Sequence, residues 1–295
     1  MRNMPIYYGT NKARPNVNRM YYGNNLVYTS FDGLCFTAQQ ANSTVSYKTT
    51  GTVDLSGIMY SFDGSNWIHW GYTVVNIPTR VTTIDENGNE IEIDTAITST
   101  GNTITLANVG DKVYVKNTNN VLQEGISSTF QFVMSGRIAA SGNLNSMINY
   151  ADLYDYCFME IFKGCSSLTT PPELPATKLA AFCYQGMFFN CISLTTAPEL
   201  PATTLADACY YVMFYGCSSL TMAPKLQATT LVDYCYYGMF YGCTSLKVNQ
   251  NDSTGTKIFT CPSTSGLIVA VDDMFSITSG TFIGTPTEGN TYNWY

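Results

Sequence analysis

The run Leu205-Ala206-Asp207-Ala208-Cys209-Tyr210-Tyr211-Val212-Met213-Phe214-Tyr215-Gly216-Cys217 returns, with substitutions, every 26 residues through the second half of the chain. Cys157, Cys183, Cys209, Cys235 and Cys261 keep that interval. Cys165, Cys191, Cys217 and Cys243 form a second series eight residues behind. Leu168, Leu194, Leu220 and Leu246 keep step, as do Leu153, Leu179, Leu205 and Leu231, and Phe162, Phe188, Phe214 and Phe240. A fixed period of this length is the mark of a solenoid, whose units each bury an apolar face against their neighbours.

Each unit divides into two halves. Cys209 and Met213 are four apart, which places them on one face of a short helix. Asp207 stands where an N-cap belongs, with equivalents at Asp155 and Asp233 and a break at Ala181. The column Gly164, Asn190, Gly216, Gly242 holds the two residue types that most readily take the left-handed conformation of a helix C-cap. The other half, Thr195-Thr196-Ala197-Pro198-Glu199-Leu200-Pro201, is expected to be extended, because prolines remove amide donors and fix φ.

Cys217-Ser218-Ser219-Leu220, followed by Pro224 and Leu226 and then Met239-Phe240-Tyr241-Gly242-Cys243-Thr244-Ser245-Leu246, resembles the BspA-like leucine-rich repeats. That family carries an "AF-x-G-C-x-S-L" junction between helix and strand. The resemblance covers residues 151–247, and Met-Phe replaces the usual Ala-Phe. It implies a horseshoe-like solenoid of the kind found in bacterial surface adhesins and in some phage virion proteins.

The flanks read differently. Residues 248–295 retain Cys261 but lose the rest of the pattern, and are expected to close the stack as a C-terminal capping region. The aromatic end, Tyr292-Asn293-Trp294-Tyr295, is expected to dock onto that stack. Upstream, Thr44–Lys48, Thr103–Leu106 and Lys112–Lys116 alternate with period two, and Asp63-Gly64-Ser65-Asn66 and Val109-Gly110-Asp111 signal turns. Residues 32–150 are therefore expected to form an immunoglobulin-like β-sandwich. A hairpin is expected over 81–94, and Phe130–Met134 is expected to be the last strand before the repeats. The whole reads as a β-rich α+β protein: a sandwich followed by a leucine-rich-repeat solenoid. Residues 1–31 hold the repeated elements Tyr7-Tyr8-Gly9 and Tyr21-Tyr22-Gly23 across a basic linker with Lys12, Arg14 and Arg19. Too short to own a core, they are expected to anchor the chain by adding a strand to another protein.

Composition narrows function. Charged residues make up 12% of the chain and the net charge is −7, with no basic stretch able to track a phosphate backbone, so no nucleic-acid partner is expected. No apolar run approaches the roughly 20 residues that span a bilayer. The opening residues lack the apolar region of a signal peptide, so either a leader was removed or export by the general route is not expected.

Catalytic chemistry has little to build on. His69 is the single histidine, set between Trp67-Ile68 and Trp70, and is expected to be an ordinary β-domain residue rather than a general base. No cysteine pair has C-x₂-C spacing, so no metal site and no cofactor are expected. Disulfides could join neighbouring columns, but columns that recur like leucines are expected to be buried thiols. Asp85-Glu86-Asn87-Gly88-Asn89 echoes a calcium loop, yet Glu90 and Ala96 occupy the places of its glycine and its glutamate, and a plain turn is expected. Tyr211 and Tyr215, repeated as Tyr237 and Tyr241, lie on the helix face away from Cys209 and Met213. They could form a binding surface for a sugar or a protein, or simply pack between helices.

The expected role is non-enzymatic. The N-terminal segment, through Tyr7, Tyr8, Tyr21 and Tyr22, would dock onto other virion proteins, and the repeats would present a surface to a host glycan or protein. A phage fibre, decoration or tail protein in the virion, as a homo-oligomer, is the first expectation. A secreted BspA-like adhesin on a bacterial surface is the alternative.

Overall fold

The computed structural model describes residues 31, 33–51, 53–71, 103–149, 152–250 and 259–294, and the backbone alone of residues 7–9, 17–22, 25–30, 80–84, 90–94, 99–100 and 257–258. In chain order the strands are β1 Tyr7–Gly9, β2 Val17–Tyr22, β3 Asn25–Phe31, β4 Cys35–Ala38, β5 Ser43–Thr50, β6 Ile58–Ser61 and β7 Ile68–His69. Then come β8 Arg80–Ile84, β9 Glu90–Asp94, β10 Ser99–Thr100, β11 Thr103–Leu106, β12 Lys112–Asn117, β13 Thr129–Ser135 and β14 Ile138–Ser141. The last are β15 Leu168–Thr170, β16 Lys247–Gln250, β17 Lys257–Thr260, β18 Ser279–Gly280 and β19 Thr291–Trp294. Among the described residues the one helix is a 3₁₀ turn at Leu144–Ile148.

The protein is β-rich. β10-β11-β5-β13 and β15-β14-β4-β12-β6-β7 are the two larger sheets of the first half. Period-two patterning decides which side chains face inward: Val45 and Tyr47 of β5, Ile104 and Leu106 of β11, and Val113 and Val115 of β12 are all buried. The inward faces meet through aromatic pairs, with Phe36 on Phe132 at 5.0 Å and Tyr47 on Trp70 at 5.1 Å. Asp63 makes the expected turn by accepting the amides of Ser65 and Asn66. β8 and β9 pair as the expected hairpin, with Thr83 opposite Ile91; its loop lies outside the described residues.

The helical half of each repeat is not helical. In the first unit Cys157, Met159, Ile161, Lys163 and Cys165 each donate to the carbonyl three residues back, closing overlapping β-turns. The residues between them donate away from the unit: Tyr156 to Ala181, Phe158 to Cys183, Glu160 to Gln185, Phe162 to Met187 and Gly164 to Phe189, at 2.8–3.1 Å. The next units repeat this, Phe188 donating to Met213 and Phe214 to Met239. One amide in two thus closes a turn and the other joins the neighbour, so both sets of backbone groups are satisfied.

Backbone conformation explains why no helix forms. Every fourth residue has positive φ: Tyr156 (65°), Glu160 (57°) and Gly164 (75°) in the first unit, and Ala208 (52°), Val212 (46°) and Gly216 (72°) in the third. Positive φ at the third residue of a hydrogen-bonded turn is what type II geometry requires, and it interrupts any i→i−4 ladder. The left-handed column expected at Gly164, Asn190, Gly216 and Gly242 is present (57–75°), but it ends a turn ribbon rather than a helix. Asp155 and Asp233 are not N-caps of their own units. Their Oδ1 atoms accept the amides of Ala181 and Ile268, one unit further on.

Burial follows the same period of four. Cys209 and Tyr210 are buried, Tyr211 and Val212 half-buried, Met213 and Phe214 buried, and Tyr215 and Gly216 half-buried. The extended half carries β15 and the single parallel bridges Lys178 to Thr204 and Thr196 to Met222.

The first sheets lead directly into the repeats. β14 pairs in parallel with β15, so two elements follow Phe130–Met134 before the repeats settle. Phe132 of β13 donates to Ile161 at 2.8 Å, as Phe162 does to Met187. Its ring begins a ladder, with Phe132, Phe162, Phe188, Phe214, Phe240 and Phe275 stacked at centroid distances of 5.3–5.8 Å. One continuous core therefore crosses the boundary expected near residue 150.

At the far end, Phe240 donates to Met274 and Tyr236 to Ala270. The step from Phe240 to Phe275 is 35 residues where Phe214 to Phe240 is 26, so the last unit carries nine additional residues. Ala270, not Cys261, therefore occupies the place to which the column of Cys235 leads. Cys261 pairs with Asn290 near β17 instead. The aromatic tail docks as expected: the Trp294 indole donates to the Ala223 carbonyl at 2.9 Å, and the ring lies 6.2 Å from Phe240.

Phe188→Ala, which removes a fully buried ring stacked on both sides, should cost about 3–5 kcal/mol in urea denaturation, against about 1 kcal/mol or less for half-buried Tyr215→Ala.

Candidate functional site

The outward half of each ribbon places the four tyrosines. Tyr211 and Tyr215 occupy the half-buried positions of one turn pair, and Tyr237 and Tyr241 those of the next. Tyr211 stacks on Tyr237 at 5.0 Å with 9° between planes. Phe189, Tyr215 and Tyr241 stack in sequence at 4.7 Å with 2–3° between planes. Lys163 precedes Phe189 in that column, with its Nζ 5.5 Å from the ring centre and 2.6 Å from Glu160 Oε1.

This stacking decides what the surface can do. A ring covered on both faces offers only its edge and its hydroxyl. The faces shared within each column, and both faces of Tyr215, are closed to a sugar ring lying flat, and the four phenols present a grid of hydroxyl donors and positive ring edges. None of the four hydroxyls bonds another described residue. Tyr234 edges against Tyr211 at 6.3 Å. Burial raises the pKa of Tyr237 from its ordinary value, with smaller contributions from Tyr211, Asp273 and Asp272.

A second aromatic column is shorter. Tyr156 stacks on Phe182 at 4.7 Å and 2°, and the column ends at Ala208. Beside it opens a cleft of about 630 Å³ lined by Val121, Leu153, Tyr154 and Tyr156, with the carboxylates of Glu124 and Asp155. The Tyr154 hydroxyl accepts the amides of Leu122 (2.6 Å) and Gln123 (3.3 Å). Burial raises its pKa, so it remains a phenol. The sequence reading missed this cleft. Aligned units place Tyr156 and Phe182 as successive aromatics in one column, which marks the stack but not the cleft beside it.

The other candidates are placed as follows. Trp70 is buried in the core, and Trp67 sits at the rim beneath Lys116 Nζ at 3.9 Å and against Phe31 at 4.8 Å. His69 lies in β7, opposite Met59. The anchor elements pair with each other, Tyr7 opposite Tyr21 in β1 and β2; their side chains, like the loop Asp85–Asn89, lie outside the described residues. Among the described residues no cluster of three or more potential ligands could hold a metal.

All ten cysteines are free thiols, and all are buried. Cys165, Cys191, Cys217 and Cys243 direct Sγ to the carbonyls of Phe132, Phe162, Phe188 and Phe214 at 3.0–3.1 Å, so each thiol ties its unit to the one before. Burial pushes Cys157, Cys165 and Cys217 up to about 12. No family model, curated protein or solved structure matches the chain.

Raised thiol pKa values make the fold alkali-sensitive. A thiol that titrates near 9.0 when unfolded and near 12 when folded stabilises the fold below pH 9, and that contribution is lost as pH rises. The loss is about 1.4 kcal/mol per pH unit for each such thiol. The melting temperature should fall steeply above pH 9, and in native protein at pH 8 the thiols should resist iodoacetamide until denaturant is added.

Proposed function

We propose that this is a non-enzymatic structural and adhesive protein: a bacteriophage virion component, of fibre, decoration or tail type, that attaches by its N-terminal segment and presents its repeats to a host-surface protein or glycan. In this reading the stacked units are a leucine-rich-repeat solenoid of BspA-like kind whose helices have become turn ribbons. The two facing sheets are an immunoglobulin-like sandwich that closes its front.

The observation that carries the reading is the tyrosine grid. Backbone hydrogen bonds running from unit to unit fix its spacing, so the hydroxyls of Tyr211, Tyr215, Tyr237 and Tyr241 are preorganised before any partner arrives. Tyrosine in such a position supplies contact area and hydrogen bonding at low entropic cost. The antiparallel pairing of the two Tyr-Tyr-Gly elements supports the anchor, since a small sheet with an open edge can add a strand to another protein. No helix among the described residues is long and apolar enough to cross a membrane.

Two measurements test this. Replacing the four tyrosines by phenylalanine keeps the ladders and removes the hydroxyls. Binding to host cells should weaken roughly two- to tenfold per hydroxyl used, with no loss of melting temperature; undiminished binding by the quadruple variant would exclude the grid. Deleting residues 1–31 should leave a folded chain that no longer enters a particle, and normal incorporation of the deletion would rule out the anchor.

A further inference from the structure

Charge is divided unevenly along the chain. Residues 1–31 hold Arg2, Lys12, Arg14 and Arg19 and no acidic residue, so the remainder holds all 21 Asp and Glu against the other ten of the 14 Lys and Arg. The segment read as the assembling element is thus a cation on a strongly acidic body.

The cleft beside the first unit is suited to a cationic side chain. Phe182 covers one face of Tyr156, and among the described residues no ring stacks on the other. Tyr156 lines the cleft together with two acidic residues, Glu124 and Asp155, and among the described residues no basic one lines it. An aromatic ring beside carboxylates is the arrangement that holds guanidinium or ammonium groups, through the quadrupole of the ring and charge-assisted hydrogen bonds. The walls are fixed by the backbone. Gln123 Nε2 donates to the carbonyls of Tyr156 and Met159, the Tyr154 hydroxyl accepts Leu122 and Gln123, and Asp155 Oδ1 accepts Ala181.

We propose that this cleft receives a Lys or Arg side chain from the N-terminal segment of a second copy of the chain, linking copies head to tail. The proposal rests on reading residues 1–31 as an assembling element, and adds that their first partner is the protein itself. A contact between two different surfaces is heterologous, so repetition gives a ring or an open filament according to whether the rotation closes. Pairing through exposed charges weakens with salt.

Sedimentation velocity of the purified full chain tests it. At low salt the chain should self-associate in a concentration-dependent manner, and high salt should reverse this. Glu124→Gln with Asp155→Asn keeps the Oδ1 acceptor for Ala181 and should yield monomer at unchanged melting temperature. Lys12→Gln, Arg14→Gln and Arg19→Gln together should do the same. Mixing the two crippled variants should restore dimers, because each retains the half the other lacks. A wild-type chain that stays monomeric overturns the proposal, as does association indifferent to Glu124 and Asp155 or a mixture that stays monomeric. A monomeric chain that still enters particles through residues 1–31 would sink this inference while leaving the anchor intact.

Discussion

The repeat region depends on how its backbone amides are shared. In each ribbon one amide closes a turn and the next reaches into the following unit, as at Cys157 and Phe158. Neither set alone would hold the chain. A non-glycine residue in the left-handed region costs about 1–2 kcal/mol, and Tyr156, Glu160, Ala208 and Val212 all adopt it. Bonds to the neighbouring unit and the burial of Phe, Cys and Met side chains offset that strain. The ribbon is therefore stable only within a stack, as repeat proteins generally are.

Both ends of the stack meet this requirement with different material. At the front a strand, β13, supplies Phe132, which joins the phenylalanine ladder and the hydrogen-bond register of the units. At the back a ribbon at 269–277 follows a nine-residue insertion and keeps the register with Ala270, Met274 and Phe275. The tyrosine grid lies between these closures, so its hydroxyls are spaced by the backbone and not by side-chain packing alone.

Much of this was legible in the sequence, and what was not has a physical cause. Columns of Cys, Leu and Phe identified the buried side correctly, because period and burial coincide. The same columns misled on conformation: two residues in and two out repeats every four, close enough to 3.6 that Cys209 and Met213 read as one helical face. The column Gly164, Asn190, Gly216, Gly242 correctly indicated left-handed backbone, but Ala208 and Val212 adopt it without any such signature. Cys261 matched by count and failed by register, since counting cannot see an insertion. The cleft at Glu124 and Tyr156 joins segments about 30 residues apart, and no local pattern encodes that juxtaposition.

Register in this molecule is kept by hydrogen bonds between main-chain groups, and the Cys261 exception shows how little it depends on equal length. The extended half takes up extra residues while the ribbon keeps its place. Each closure touches only the units beside it, so none of these contacts sets how many units the array holds. The length of the aromatic columns is thereby set by how many units are stacked and not by any individual contact.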